Sequence, residues 1–193
     1  MIFIRYNTLS SGNNQASILP SFKKIIKDKL NIKLELFGSP LNTSSFTFGS
    51  IFYDIDHVFG SIGNYFNTKL LKGYYEINPI FDKCLIDNII IKCFNEFNIA
   101  NNNKAPLLFL IILPISYYKY SKKLNILNKF KKFEIILDKK KFPYIRYDRH
   151  FLKTKVTPIV DTHLLIYHND YIKEIIKYNV LNFNTSIINW QIN

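Results

Sequence analysis

Asn78-Pro79-Ile80-Phe81 gathers an amide, a proline and an aromatic ring within four residues. A side-chain carbonyl accepts hydrogen bonds, a proline stiffens the chain beside it, and an aromatic ring stacks on a flat partner. Three more short segments offer hydroxyls, amides and backbone that a ligand can approach closely: Gln15-Ala16-Ser17, Ser39-Pro40-Leu41-Asn42 and Phe59-Gly60-Ser61. Taken singly, each is also ordinary turn and cap chemistry. Their use therefore depends on the elements that carry them.

Those elements alternate. Ile2–Tyr6 reads as a strand, Leu19–Leu30 as a helix and Ile32–Phe37 as a strand. Phe46–Tyr53 is a weaker strand or turn, and Gly73–Ile77 a short strand running into Asn78-Pro79. Asp82–Phe97 carries one apolar stripe, Leu85, Ile86, Ile89, Ile90, Cys93 and Phe97, at helical spacing. Leu107–Leu113 is an unbroken apolar run, short enough for a strand buried on both faces. Phe133–Leu137 and His163–His168 are further strands, and the tail Tyr171–Trp190 holds a helix and one more short element. Strand and helix in repetition without a long linker predict one α/β domain over residues 1–193 with a mostly parallel sheet. In such a sheet, ligands sit beyond the C-terminal ends of the strands. All six glycines fall within the first 73 residues, so the first half should build the small-molecule side of the site.

Lysine and arginine number 26 against 14 acidic residues, a formal charge of +12, and aromatics make up 16% of the chain. That balance favours a polyanionic partner, nucleic acid before an acidic membrane surface, although an Ile, Asn, Lys, Tyr and Phe excess also follows from AT-rich coding. The stretch Lys119–Lys141 carries nine lysines, with Tyr117, Tyr118, Tyr120, Phe130 and Phe142 interleaved. Lysines on phosphates and rings on bases is a single-strand binding pattern, which makes Lys119, Lys122, Lys123, Lys129, Lys131 and Lys132 candidate RNA contacts. A solvated loop around a core strand has the same composition. Cys84 and Cys93 read as buried, reduced thiols of an intracellular protein. Four scattered histidines give no metal-ligand spacing, so no metal is expected. No apolar run approaches the roughly 20 residues of a membrane span.

In order and spacing, Gln15-Ala16-Ser17, Glu35 through Asn42, Phe59-Gly60-Ser61 and Tyr75 through Phe81 resemble the catalytic domain of the phosphorylated CTD-interacting factor family. Phe109–Pro114 and His163–Asp170 resemble two later core strands of that domain, so the resemblance covers roughly residues 10–170. It implies a class I, Rossmann-like methyltransferase with a mostly parallel seven-strand sheet and helices on both faces. It implies S-adenosylmethionine as cofactor and, as acceptor, adenine N6 of RNA, at the cap-adjacent adenosine of mRNA. The first three loops would then line the cofactor pocket. Asn78, Pro79, Ile80 and Phe81 would hold the adenine, Ile80 standing where the family has a second proline. The resemblance further implies that the WW module and the helical region preceding the family's core are missing, so that a partner protein would supply those surfaces. Two other readings fit the same residues. One is a catalytically silent, methyltransferase-like subunit that binds RNA or a partner enzyme. The other is a basic RNA-binding module without cofactor.

Overall fold

The computed structural model describes residues 4–6, 16–45, 47–120, 122–147 and 153–192. Its centre is β5 (Leu107–Pro114), in which every residue is buried. Alternate side chains of a strand point to opposite faces, so this run feeds two cores at once. Leu107, Phe109, Ile111 and Leu113 face one, and Leu108, Leu110 and Ile112 the other.

Around it lies a six-stranded sheet in the order β3 (Thr47–Phe48), β2 (Leu34–Glu35), β4 (Gly73–Ile77), β5, β9 (Thr162–His168), β6 (Lys131–Leu137). The first four are mutually parallel. β9 lies antiparallel to both β5 and β6, which makes the sheet mixed, with six strands among the described residues beside the expected mostly parallel sheet of seven. The shortfall is on the β3 side. Of the segment Phe46–Tyr53, read as a weaker strand or turn, only Thr47–Phe48 pairs, and α2 (Tyr53–Asp56) turns the chain away.

Helices cover both faces. α1 (Pro20–Leu30) begins on a proline, whose missing N–H costs nothing in a first turn, and ends on Asn31 in the left-handed conformation. Its Phe22, Ile26 and Leu30, four residues apart, fill the second core together with α5 (Glu174–Leu181) and α6 (Phe183–Ile192). α3 (Lys83–Asn102) covers the first core with Ile86, Ile89, Ile90, Cys93 and Phe97. Asp82 caps it by accepting the Leu85 N–H at 2.7 Å. Cys93 is buried as expected, but Cys84, on the other side of this helix, is exposed. A short α4 (Ile115–Tyr120) and a 3-10 helix, Lys123–Phe130, return the chain along α3 to β6.

A second, three-stranded antiparallel sheet was not anticipated: β1 (Ala16–Ile18), β7 (Tyr144–Tyr147) and β8 (Lys153–Val156). Residues 4–6 are helical, not extended as the sequence pattern suggested. They are anchored by side chains, Arg5 to Asp54 at 2.7 Å and the Tyr6 ring edge-on to Phe52, while Ile4 stays exposed. Among the described residues, no helix is long and apolar enough to cross a membrane.

β2 and β3 meet with almost no space between their ends. The Gly49 N–H donates to the Glu35 carbonyl at 2.7 Å, and a Cβ on Gly49 would lie 2.4 Å from the Leu36 carbonyl oxygen. Gly49→Ala should therefore force backbone apart and cost about 1–3 kcal/mol, a loss of several degrees in Tm. A parental melting curve for this variant would show that the β3 edge yields without cost.

Candidate functional site

The strand order reverses between β2 and β4. From β2 the chain crosses to β3 on one side, then returns to β4 on the other and continues outward to β5. At such a switch point the loops leave in opposite directions and open a crevice at the C-terminal edge. A cavity of about 460 Å³ lies there, a volume within the usual range for small-molecule sites. One wall follows β2 and runs from Glu35 to Ser39 and Asn42. The other follows β4 and comprises Asn78, Pro79, Ile80 and Phe81, with Leu85 from α3.

The tetrad wall is open to a ligand. Asn78 has no side-chain hydrogen bond among the described residues, and the Pro79 carbonyl accepts none. The Ile80 carbonyl is taken by the Asp82 N–H at 2.8 Å. Phe81 is 45% exposed at the cavity mouth, as a ring that stacks on a ligand must be.

The opposite wall is a self-bonded turn. Asn42 Oδ1 accepts the Ser39 N–H at 2.9 Å and the Ser39 hydroxyl at 3.1 Å, and the Thr43 N–H reaches the Ser39 carbonyl at 3.0 Å. This fixes the backbone and leaves the Asn42 NH₂ without a partner among the described residues. Pro40 and Leu41 shape the turn but do not line the cavity. Ala16 lines it, Ser17 is turned into the fold with its hydroxyl 3.4 Å from the Ile18 carbonyl, and Gln15 lies outside the described residues.

Phe59, Gly60 and Ser61 stand behind the site instead of in it. The Gly60 carbonyl accepts the Phe48 N–H at 3.3 Å, and the Ser61 hydroxyl meets Ser50 Oγ at 2.7 Å and the Gly63 N–H at 3.0 Å. Their effect is to place Ser50, which does line the cavity. Tyr6 joins the same wall and donates its hydroxyl to buried Asp56; burial and then that carboxylate push the phenol far above its ordinary range.

Several lining residues carried no sequence motif. Tyr65 and Phe66 pack edge-on or tilted with Phe37 to make an aromatic side. Tyr65 is held by Glu96 of α3 at 2.7 Å. Tyr144 and residues 156–160 close the cavity from the small sheet, and the Tyr144 hydroxyl ties that sheet to Thr162 at 3.1 Å. The aromatic and β-branched residues of Tyr144-Ile145-Arg146-Tyr147 are the local signal for the strand, but nothing local indicates where it docks.

The candidate RNA lysines divide. Lys122 is exposed, Lys123 pairs with Asp87 at 3.2 Å, and the Lys119 side chain lies outside what is described. Lys129 sits over Phe94 and reaches Asn98 at 3.3 Å, while Lys131 and Lys132 pair with Glu134 and Asp170 at 2.9 and 3.7 Å. β6 runs parallel to β5, so its start at Lys131 is at the edge of the sheet away from the cavity. At about 3.3 Å per residue, β6 separates the two edges by about 20 Å. Of the interleaved rings, Tyr117, Phe130 and Phe142 are buried; Phe130 stacks on Phe97 at 4.1 Å.

Beneath the cavity, Glu35 and Glu76 sit opposite each other on β2 and β4, both buried. Lys23 of α1 bonds Glu35 at 2.6 Å, and Thr43 adds a hydroxyl at 3.3 Å. One oxygen of Glu76 has no partner. Burial lifts the Glu76 carboxyl, Lys23 draws it back, Glu35 lifts it again, and the result is a pKa pushed up to about 7 from an ordinary 4.5; Tyr144 is the other titratable group facing it. The folded protein thus holds a proton that the unfolded chain releases near pH 4.5. This contribution to stability is complete below pH 4.5 and is lost as pH rises through about 7. Glu76→Gln should remove it, so that thermal melts of the variant fall less between pH 4.5 and 8 than those of the parent. Parallel pH profiles would mean that Glu76 ionises normally.

A comparison with known families adds an independent line. The family model described as "Phosphorylated CTD interacting factor 1 WW domain" matches residues 1–146. The matched segment includes β2 through β6, and with them both the Ser39–Asn42 turn and the Asn78–Phe81 wall. A match over that much of the chain, falling on the same loops that form the cavity, places this protein in the phosphorylated CTD-interacting factor family.

Proposed function

We propose that the chain is an S-adenosylmethionine-dependent methyltransferase acting on the N6 amine of adenine in RNA, with the cap-adjacent adenosine of mRNA as the acceptor that family membership suggests. The observation that carries this reading is the tetrad wall: an unpartnered Asn78 amide, a Pro79 carbonyl that accepts no backbone hydrogen bond and an exposed Phe81 ring, together on a cavity at the switch point. An exocyclic amine is a poor nucleophile because its lone pair is delocalised into the ring. Two acceptors, Asn78 Oδ1 and the Pro79 carbonyl, take its two N–H bonds and favour the pyramidal form, which stabilises the transition state more than the ground state. Phe81 holds the base after it leaves its neighbours in the strand.

The residues present suit the cofactor. The Ser39–Asn42 turn offers rigid backbone and a free amide, and Phe37, Tyr65 and Phe66 offer an apolar aromatic side, in a cavity of adequate volume. When bound there, S-adenosylmethionine supplies the electrophilic methyl group. The chain's own residues orient the acceptor amine, and residues 156–160 and Tyr144 complete the lining beside it.

S-adenosylhomocysteine should bind and raise Tm, and Asn78→Ala should abolish methyl transfer to A-initiated RNA. Cofactor affinity in that variant should stay within about tenfold, roughly 1.4 kcal/mol. Absence of binding heat at millimolar S-adenosylhomocysteine, or near-parental turnover by Asn78→Ala, would each defeat the assignment.

Ile80 favours a second reading, a methyltransferase-like subunit without turnover. The second proline of the family tetrad would restrict the backbone next to the amine acceptors, and misplacement by about 1 Å can cost on the order of 100-fold in rate. Ile80 is 43% exposed and its N–H donates to no described residue, so Ile80→Pro removes neither a core side chain nor a buried hydrogen bond. The variant should fold with a near-parental Tm and turn over faster. A stable but inactive Ile80→Pro protein beside an inactive parent selects the silent subunit.

A further inference from the structure

Of the lysine-rich stretch, the end that reaches the cavity edge is Lys139–Lys141, not the six lysines singled out as RNA contacts. β6 ends at Leu137, opposite Thr162 of β9, and Thr162 in turn pairs with Pro114 at the C-terminal end of β5. Lys139, Lys140 and Lys141 follow immediately, at the edge that holds the cavity. The turn is firmly built. Asp138 Oδ1 accepts the Lys140 N–H at 2.7 Å, and its carbonyl accepts the Lys141 and Phe142 N–H groups at 3.0 and 2.9 Å. Phe142 is fully buried beneath it.

The turn also grips the cavity wall. The Lys139 N–H bonds Asp161 at 3.0 Å, and the Lys139 ammonium bonds the carbonyl of Ile159 at 3.0 Å. Ile159 lines the cavity and is 84% exposed, an apolar side chain at the mouth beside a cluster of positive charge. Lys155, also exposed, precedes the lining residue Val156 on β8. Among the described residues, Lys139, Lys140, Lys141 and Lys155 have no carboxylate partner, whereas Lys123, Lys131 and Lys132 are each paired with one.

We infer that the 138–141 turn and β8 form the track that holds the phosphates of the RNA strand entering the cavity, with Ile159 pressing on the nucleotide next to the bound base. The inference rests on the RNA reading above and gives it a surface. Lysines without a carboxylate partner can replace the counterions of a phosphate backbone, while lysines already bonded to carboxylates must first give those up. The location fits as well: an exposed charge acts over about one Debye length, ~8 Å at physiological salt, and Lys131 and Lys132 lie about 20 Å from the cavity edge along β6.

The test measures the affinity of the full chain for a fluorescent A-containing RNA oligonucleotide across a salt series. It compares a Lys139→Gln, Lys140→Gln, Lys141→Gln, Lys155→Gln variant with a Lys129→Gln, Lys131→Gln, Lys132→Gln variant. The first should bind at least tenfold more weakly, and its slope of log affinity against log salt should flatten by about 0.7 for each phosphate it no longer neutralises. The second should stay within about twofold of the parent. Lys140→Gln alone, at an exposed side chain without a hydrogen bond, should weaken binding severalfold and leave the fold intact. A greater weakening in the second variant, an unchanged slope in the first, or no RNA binding by the parent at low salt would overturn the inference. Equal affinity for poly-glutamate, abolished in the same four-lysine variant, would instead assign the surface to an acidic protein. S-adenosylhomocysteine binding, measured on all variants, separates the two levels. If RNA binding depends on the track and no cofactor binds, the methyltransferase reading fails alone. If the cofactor binds and neither lysine set affects RNA, the track fails alone.

Discussion

The site depends on a buried ionic arrangement under its floor. Glu35 and Glu76 occupy matching positions on β2 and β4, where the strand order reverses, and Lys23 reaches them from α1. Taking charges out of water is expensive, and removing one partner of a buried pair leaves the other uncompensated. The arrangement therefore adds little net stability, but it discriminates strongly between alternative registers. A slip of β2 against β4 by one residue would carry Glu35 to the opposite face, into the core built from Ile77, Phe109 and α3. The register that keeps both carboxylates near Lys23 is also the one that brings the Ser39–Asn42 turn across from Asn78–Phe81.

From this floor the walls follow by short covalent reach. Glu35 is four residues from Ser39, and Glu76 is two from Asn78. Ser61 acts at one remove by fixing Ser50, and Glu96 acts similarly by holding Tyr65 and the Leu70 N–H. Loops that look like ligand contacts in a sequence can thus be buttresses. Phe59-Gly60-Ser61 belongs to this class: its glycine and hydroxyl are used by neighbouring backbone and side chains.

How much could be read in advance follows from where the information lies. β5 and α3 were legible because their patterns are strong and local, an unbroken apolar run in one and a stripe behind an Asp cap in the other. Gly73–Ile77 and its following tetrad were legible for the same reason. Ile4–Tyr6 misled because β-branched and aromatic residues favour strands only when a sheet accepts them; here α2 offers ion-pair and ring contacts instead. The place of β1 in the β1–β7–β8 sheet was invisible because it pairs with a strand more than 120 residues away in the sequence. With it went Tyr144 and residues 156–160, nearly a whole side of the cavity. The lysine-rich stretch was read correctly as a composition, but only the sheet's direction separates its two ends.

The brevity of β2 and β3 has a consequence for motion. Each is two residues long, whereas β5 has eight and β9 seven. Cooperative units of a protein open at free energies set by how many backbone bonds and buried contacts they share with the rest. The switch-point edge is stitched by few such bonds, including Gly38 to Gly49 and Leu36 to Glu76. Its amide hydrogens should exchange with solvent through openings far smaller than global unfolding, while those of β5 and β9 wait for the whole domain to open. The cavity is thus bounded on its β2 side by a fast-exchanging edge, and a ligand that bridges Asn42 and Asn78 would draw that edge into the slow class.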